Sequence, residues 1–434
     1  GRSPDRGYRM ALAADAPKDG FRLSMLIYDT RFRAITIQVI VLILFLLFVG
    51  WLVDNTIQNL ARKDKDIDFG FLFSRAGYDI DQQLIPYTND STHGRALFVG
   101  LANTLAVAFF GCIFATIIGV FAGVLRLSRN WLVARIMTVY VEVVRNIPLL
   151  LWIILAFVIF SETQPGPRDF RVTDEMIAAG EEPKASMIFF DSVAFTNRGS
   201  NIPAPLLSRP LGGTEFLGVP INYSTIAVIL VIIASVYANR ALLRNARAVQ
   251  EATGDRPVTW WKSLLILFAP VVLLLIALGF HLEYPVLAGF NFQGGINVAH
   301  SFTALLFALS IYTGSYIAEA VRGGILAISR GQTEAAYALG IRPGRTMSLV
   351  VLPQALRVII PPLISQYLNL TKNTTLGMAI SYLDLKGTLG GITLNQTGRE
   401  LECMLLMMLI YLILSLIISS LMNIFNTAVK LKER

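Results

Sequence analysis

The sequence predicts an all-α membrane protein of about eight spans, on three observations. Of its 434 residues, 54% are apolar, and they gather into runs of about 20 residues, each long enough to cross about 30 Å of hydrocarbon. Basic residues concentrate in loops at alternate ends of these runs, and acidic residues in the others. That asymmetry orients multi-pass proteins. Finally, the segment of about 327–354 is polar and holds Arg330, Arg342 and Arg345, with Arg357 just beyond it. It lies between two long apolar segments, so it stands in water beside the bilayer.

The predicted spans are 34–53, 97–125, 138–160, 225–243, 263–282, 302–326, 355–382 and 403–428. The first follows Arg31 and Arg33 and is too long for the apolar region of a signal peptide, so it reads as a retained helix. With the N-terminus inside, cytoplasmic loops hold Arg126, Arg129 and Arg135, then Arg240, Arg244 and Arg247, then segment 327–354. The tail holds Lys430, Lys432 and Arg434. Outside fall Asp54, Asp64, Asp66, Asp68, Asp79 and Asp81, then Asp169, Asp174, Glu175, Glu181 and Glu182. Both termini are therefore expected in the cytoplasm. The net charge of +8 follows from this topology and does not suggest nucleic acid. Two outside loops, 54–95 and 161–223, are long, and the second is rich in Pro, Gly and acidic residues. Each reads as a partly ordered surface segment or as a contact for a soluble partner.

Catalytic chemistry is not expected. No nucleophile–base motif or Gly-x-Ser-x-Gly stands out. There is no G-x-x-x-x-G-K-[ST], so the chain does not cradle ATP phosphates itself. Cys112 and Cys403 both lie in apolar runs and make no disulfide framework. His93, His281 and His300 lack metal-ligand spacing, so no metal site is expected.

Charges inside spans are costly and face a protein interior or an aqueous path. Glu142 and Arg145 lie three apart on one helical face, as do Glu319 and Arg322. Both pairs sit toward the cytoplasmic ends of their helices, where they read as ion pairs that fix the bundle or as a gate. Lys372 follows Pro361-Pro362 and sits among Asn369, Asn373, Thr374 and Thr375. A break at the prolines makes this group a candidate substrate path. The ammonium then meets a substrate carboxylate, or else carbonyls freed by the prolines. Gly119 and Gly123 form a small-xxx-small pair suited to close helix packing.

The polar segment reads Glu334-Ala335-Ala336, three residues, Gly340, nine residues, Val350, one residue, Leu352-Pro353. This spacing resembles the EAA loop of ABC importer permeases. The likeness extends to Gly100-Leu101-Ala102-Asn103-Thr104-Leu105, to 140–150 around Glu142 and Arg145, to 316–324 around Glu319 and Arg322, and to Lys372-Asn373-Thr374-Thr375-Leu376. Together these are similar to the polar amino-acid permease family, and the enlarged chain is similar to a permease of the general L-amino acid transporters, including those for glutamate, glutamine, aspartate and asparagine. The resemblance implies a type I ABC importer permease with a five-helix core. Core segments would be 97–160 and 302–434. Added to them are an N-terminal segment 1–33, a span and loop 34–96, and an insert 161–301 with two further spans.

It also implies alternating access in the bacterial inner membrane, with a second homologous permease, two copies of a cytoplasmic ATPase that holds ATP and Mg, a periplasmic amino-acid-binding protein, and surrounding lipid. Glu334, Ala335, Ala336, Gly340, Leu352 and Pro353 would couple to the ATPase. Where the family often has Arg-Gly-Thr-Pro and Lys-Asp-Thr-Ser-Leu, this chain has Arg145-Asn146-Ile147-Pro148 and Lys372-Asn373-Thr374-Thr375-Leu376. The rival reading is a secondary transporter driven by an ion gradient. It needs coupling carboxylates near the midplane, which Glu142 and Glu319 do not supply.

Overall fold

A computed structural model describes residues 30–62, 67–172, 182–216 and 219–429. The basic tail at 430–434, the polar N-terminal residues 1–29, Asp64, Asp66, Asp174, Glu175 and Glu181 lie outside the described residues. The chain divides into two units, Gly1–Asp68 and Phe69–Arg434. In the smaller, α1 (Thr30–Ala61) exposes apolar side chains on every face, the pattern of a helix surrounded by lipid.

The larger unit contains α2 (His93–Leu125), α3 (Trp131–Asn146), α4 (Leu149–Glu162), α5 (Tyr223–Thr253), α6 (Trp260–Ala277) and α7 (His300–Leu326). After these come α8 (Arg330–Ala338), the single turn α9 (Pro343–Thr346), α10 (Leu352–Asn373), the single turn α11 (Leu394–Thr397) and α12 (Glu400–Val429). Among the described residues, seven helices are long and apolar enough to cross a membrane, or up to eight if the bent pair α3–α4 is one span.

That pair departs from the expected straight span 138–160. The axis turns by 106° at Ile147-Pro148. Proline disfavours the helical conformation in the residue before it. Ile147 accordingly takes φ −97°, ψ 133°, and Pro148 remains extended at ψ 135° before α4 starts. The opposite departure occurs in α10. A break was expected at Pro361-Pro362, yet the helix runs through both, from Leu352 to Asn373. Proline's fixed φ suits a helix. Its cost is the missing donor to the carbonyl four residues back, here those of Arg357 and Val358.

The core lies where α2 meets α7. A Cβ placed on Gly119 would stand 2.5 Å from the Ile317 Cβ and 2.8 Å from the Gly314 carbonyl oxygen, and one on Gly123 would stand 2.7 Å from the Ala318 oxygen. The glycines therefore let the two backbones approach to a separation that no side chain permits. Gly324 does the same for α7 against Ile359 of α10. Leu305, Leu309 and Ile317 fill this core with no exposed surface. By contrast α5 and α6 pack chiefly on each other and bury few residues or none.

The described part of the insert is more ordered than its composition suggested. A three-stranded sheet joins β1 (Ala194–Thr196), β2 (Gly199–Ile202) and β9 (Ile296–Val298). Pairs β3 (Ala204–Leu207) with β6 (Phe280–Glu283), β4 (Gly213–Phe216) with β5 (Val219–Asn222), and β7 (Val286–Ala288) with β8 (Asn291–Gln293) complete it. β9 runs directly into α7, and His300 Nε2 sits 2.7 Å from the Thr196 carbonyl oxygen. The β layer thus caps the end of α7 opposite the 327–354 loop.

Gly119→Leu should separate α2 from α7 and destabilise the purified protein by about 1–3 kcal/mol or more, the usual cost of overpacking. Gly50→Leu, at a position with nothing within 4 Å, is the control. Equal melting temperatures for the two variants would show that the contact at Gly119 does not hold the core.

Candidate coupling loop and substrate path

The polar loop is a folded device. α8 ends at Ala338, Leu339 caps it, and Gly340 takes φ +74°. The Gly340 N–H donates to the Tyr337 carbonyl at 2.9 Å and the Ile341 N–H to the Ala336 carbonyl at 3.1 Å. This left-handed closure is the one glycine makes without a Cβ clash. Nothing lies within 4 Å of a Cβ at Gly340, so the demand for glycine comes from the backbone alone. Ala336 is buried, while Glu334 and Ala335 are exposed. α9 and a π-helical turn, Met347–Val351, then lead into α10 at Leu352-Pro353. Pro353 is the second residue of α10, and the helical backbone runs into it without a break from α9 through the π turn.

The loop exposes Tyr337 (49%), Leu339 (80%) and Leu349 (67%). Gly340, Ile341, Arg342, Arg345 and Leu349 line a hollow of about 430 Å³. Tyr337 and Leu339 thus stand bare on the polar segment between two candidate spans, and Leu349 near the start of the second. Leu339 and Leu349 were not singled out in the sequence, because a single exposed leucine has no signature of its own.

The expected ion pairs are arranged differently. Glu319 does bind Arg322, at 2.6 Å, but Glu142 and Arg145 do not pair. Instead Arg126, only 8% exposed at the end of α2, bridges Glu319 (2.5 Å) and Glu142 (3.8 Å). Arg145 lies over the Tyr316 ring at 4.8 Å. Three helices thus meet on one guanidinium. Arg126 had been read only as a loop charge, and its partner Glu319 is 193 residues away, so spacing could not find the contact. The Arg126–Glu142 contact is worth at most about 1 kcal/mol, since Glu142 is 56% exposed.

The proposed path residues separate into two sets. Asn369 and Lys372 are exposed and Asn373 half-buried; at positions i, i+3 and i+4 they share one face of α10. Half-buried Thr375 donates to the Lys372 carbonyl at 2.8 Å. Thr374 is fully buried and donates to Asp384 Oδ2, away from that face. Among the described residues, the Lys372 ammonium has no hydrogen-bond or ion-pair partner. The carbonyls freed by Pro361 and Pro362 belong to residues 14 or more positions earlier, about 21 Å along the axis. A lysine side chain does not span that distance, which removes the reading in which Lys372 serves them.

Comparison with known proteins bears on this geometry. Residues 256–431 match the model of the binding-protein-dependent transport system inner membrane component. The glutamate/glutamine/aspartate/asparagine transport system permease BztB of Rhodobacter capsulatus is 66% identical over 98% of this chain and 100% of its own length. The chain belongs to this permease family. The general L-amino acid transport system permease AapQ of Rhizobium johnstonii is 42% identical over 95% of this chain and 96% of its length, and the amino-acid ABC transporter permease YhdX of Escherichia coli is 40% identical over 93% and 95%. These matches include the insert and the N-terminal helix, so both are features of this group of permeases.

At Gly340, a side chain in the left-handed region costs about 1–2 kcal/mol, or about tenfold in an equilibrium. Gly340→Val should therefore reduce recovery of ATPase with the purified permease by about that factor, while the permease's own melting temperature stays near wild type. Gly340→Asn, which tolerates this conformation, should retain most of the ATPase. Equal behaviour of the two variants would contradict the turn's role.

Proposed function

We propose that this chain is one of two homologous permeases lining the path of an ATP-driven importer for glutamate, glutamine, aspartate and asparagine, working by alternating access. In this reading it lies in the bacterial inner membrane with both termini in the cytoplasm. Two copies of a cytoplasmic ATPase bind ATP and Mg and seat on the loop of Glu334, Ala335, Ala336 and Gly340, with Leu352 and Pro353 passing the motion to α10. A periplasmic amino-acid-binding protein delivers substrate.

The observation that carries this reading is the continuity of one element. The exposed α8–Gly340 turn leads through the π turn into α10, and α10 presents Asn369, Lys372 and Asn373 at its far end. An ammonium and two carboxamides on one face suit a ligand with carboxylate and amide groups. The second permease is supported by the same face. A bare ammonium on a spanning helix is retained only where protein or water covers it, and a facing subunit supplies that cover. The substrate names come from the relative that is 66% identical. The Arg126–Glu319–Arg322 cluster joins α2 to α7 at their loop ends, and serves in this reading as a clamp.

Proteoliposomes holding the full complex should take up glutamate only with ATP and liganded binding protein, and an ionophore should leave uptake intact. Uptake without nucleotide that collapses with the ionophore would favour the ion-driven rival. Lys372→Met should reduce uptake at least about tenfold, the size of one lost hydrogen bond to a charged group, with assembly and basal ATPase retained. Full uptake by that variant would remove Lys372 from the path.

A further inference from the structure

Asp384 is a fully buried carboxylate in the link between α10 and α12. Among the described residues, no lysine or arginine pairs with it. Neutral donors surround it instead. Its Oδ1 accepts the Gly387 N–H at 2.9 Å, and its Oδ2 accepts the Thr374 hydroxyl at 3.2 Å and the Tyr411 hydroxyl at 3.3 Å. Those donors come from the turn that ends α10, from a π-helical turn at Lys386–Thr393, and from α12. An uncompensated buried charge is expensive unless its lone pairs are filled by several donors, so its retention calls for a role.

The same link is fastened to α2. The Tyr382 hydroxyl donates to the Asn103 carbonyl at 3.0 Å, the Asn103 amide to the Leu383 carbonyl at 2.9 Å, and the Leu385 N–H to Thr104 Oγ1 at 3.0 Å. Asn103, Thr104, Thr374, Asp384 and Thr388 have no exposed surface. Gly100 lets the π turn sit against α2, since a Cβ there would meet the Asp384 carbonyl oxygen at 2.8 Å.

The two ends of α10 are therefore held by different forces. Near the coupling loop the side chains it buries fully are apolar, Ala355, Ile359 and Ile360. Such contacts are non-directional and tolerate small sliding of packed helices. The far end is tied by directional hydrogen bonds, which weaken steeply when their geometry changes. Lys372 and Asn373 lie two residues and one residue before Thr374, next to the tied end.

We infer that Asp384 is a positioning residue for transport: its carboxylate ties the far end of α10 to the π turn and to α12, in a link that Tyr382, Leu383 and Leu385 fasten to α2, so that motion at the coupling loop turns α10 about this point and swings the Lys372–Asn373 face. This inference rests on the reading of α10 as the link between ATPase and path. It assigns Asp384 no contact with substrate.

The test uses the full complex in proteoliposomes, with Asp384→Asn as the variant. The amide keeps the shape and one acceptor, and Thr374 can turn its hydroxyl wholly to the Thr371 carbonyl, 3.0 Å away. Substrate imported per ATP hydrolysed should fall about tenfold, the factor for one lost hydrogen bond to a charged group, while ATPase stimulation by liganded binding protein persists. If uptake and ATPase fall together at an unchanged ratio, or neither changes, the inference is overturned. Should Asp384→Asn fail to assemble, Tyr411→Phe decides, because it removes one donor on α12 and leaves the carboxylate. A lowered ratio supports the fixed point, and a wild-type ratio overturns it. A wild-type complex that shows no ATP-dependent uptake would count instead against the transport reading.

Discussion

Gly119 and Gly123 leave α2 without side chains where it crosses α7, and the two backbones close to a distance that a single Cβ would prevent. In a bilayer this contact matters more than in water. Lipid is as apolar as leucine, so helices gain little from burying apolar surface and associate through close packing and hydrogen bonds. The α2–α7 pair supplies the close packing. It forms a frame, and the other parts of the larger unit are arranged on it: α10 against Gly324 of α7, the Asp384 network against Gly100 of α2, and Arg126 across the loop ends of both. Polar contacts thus sit at the two ends of an apolar frame.

This layout assigns different work to the two kinds of contact. Apolar packing sets distances and permits small shifts. The polar groups set orientation, because each buried donor or acceptor left without a partner costs about 1–3 kcal/mol. Asn103 illustrates the point. Its one side-chain amide ties both the Gln82 and the Leu383 carbonyls, at 2.8 and 2.9 Å, so a fully buried residue joins the segment before α2 to the link before α12. α10 passes between the two regimes and carries Asn369, Lys372 and Asn373 near its polar end.

Local features of this arrangement were legible in the sequence. The helix and turn of the polar loop could be read because their signal is short-range: a helix-forming run closed by a glycine that takes positive φ. The Gly119–Gly123 pair was read for the same reason. The salt-bridge partners were not, since Arg126 and Glu319 become neighbours only through the fold. Asp384 carried no signal, because its donors, Thr374, Gly387 and Tyr411, follow no periodic spacing. Both proline readings failed on one point. An apolar run continued through Pro148 and so looked unbroken, whereas Pro361-Pro362 looked like a break. Whether a proline bends a helix depends on the neighbouring packing and on whether the freed carbonyls can be tolerated. The strands of the insert escaped detection because each has only three or four residues, too few to display an alternation.

Whether α10 pivots about its Asp384 end is measured directly by pulsed electron paramagnetic resonance on the assembled complex. One pair of spin labels would sit at the loop end, on Val124 of α2 and Leu349 before α10; the other at the far end, on Phe98 of α2 and Met378 after α10. All four side chains are exposed in this chain. Trapping the ATPase with ATP should shift the Val124–Leu349 distance by about 5 Å, one helical turn, and leave Phe98–Met378 within about 2 Å of its resting value. Equal shifts of both pairs, or a shift confined to the Phe98–Met378 pair, would contradict a helix pivoting on the Asp384 network.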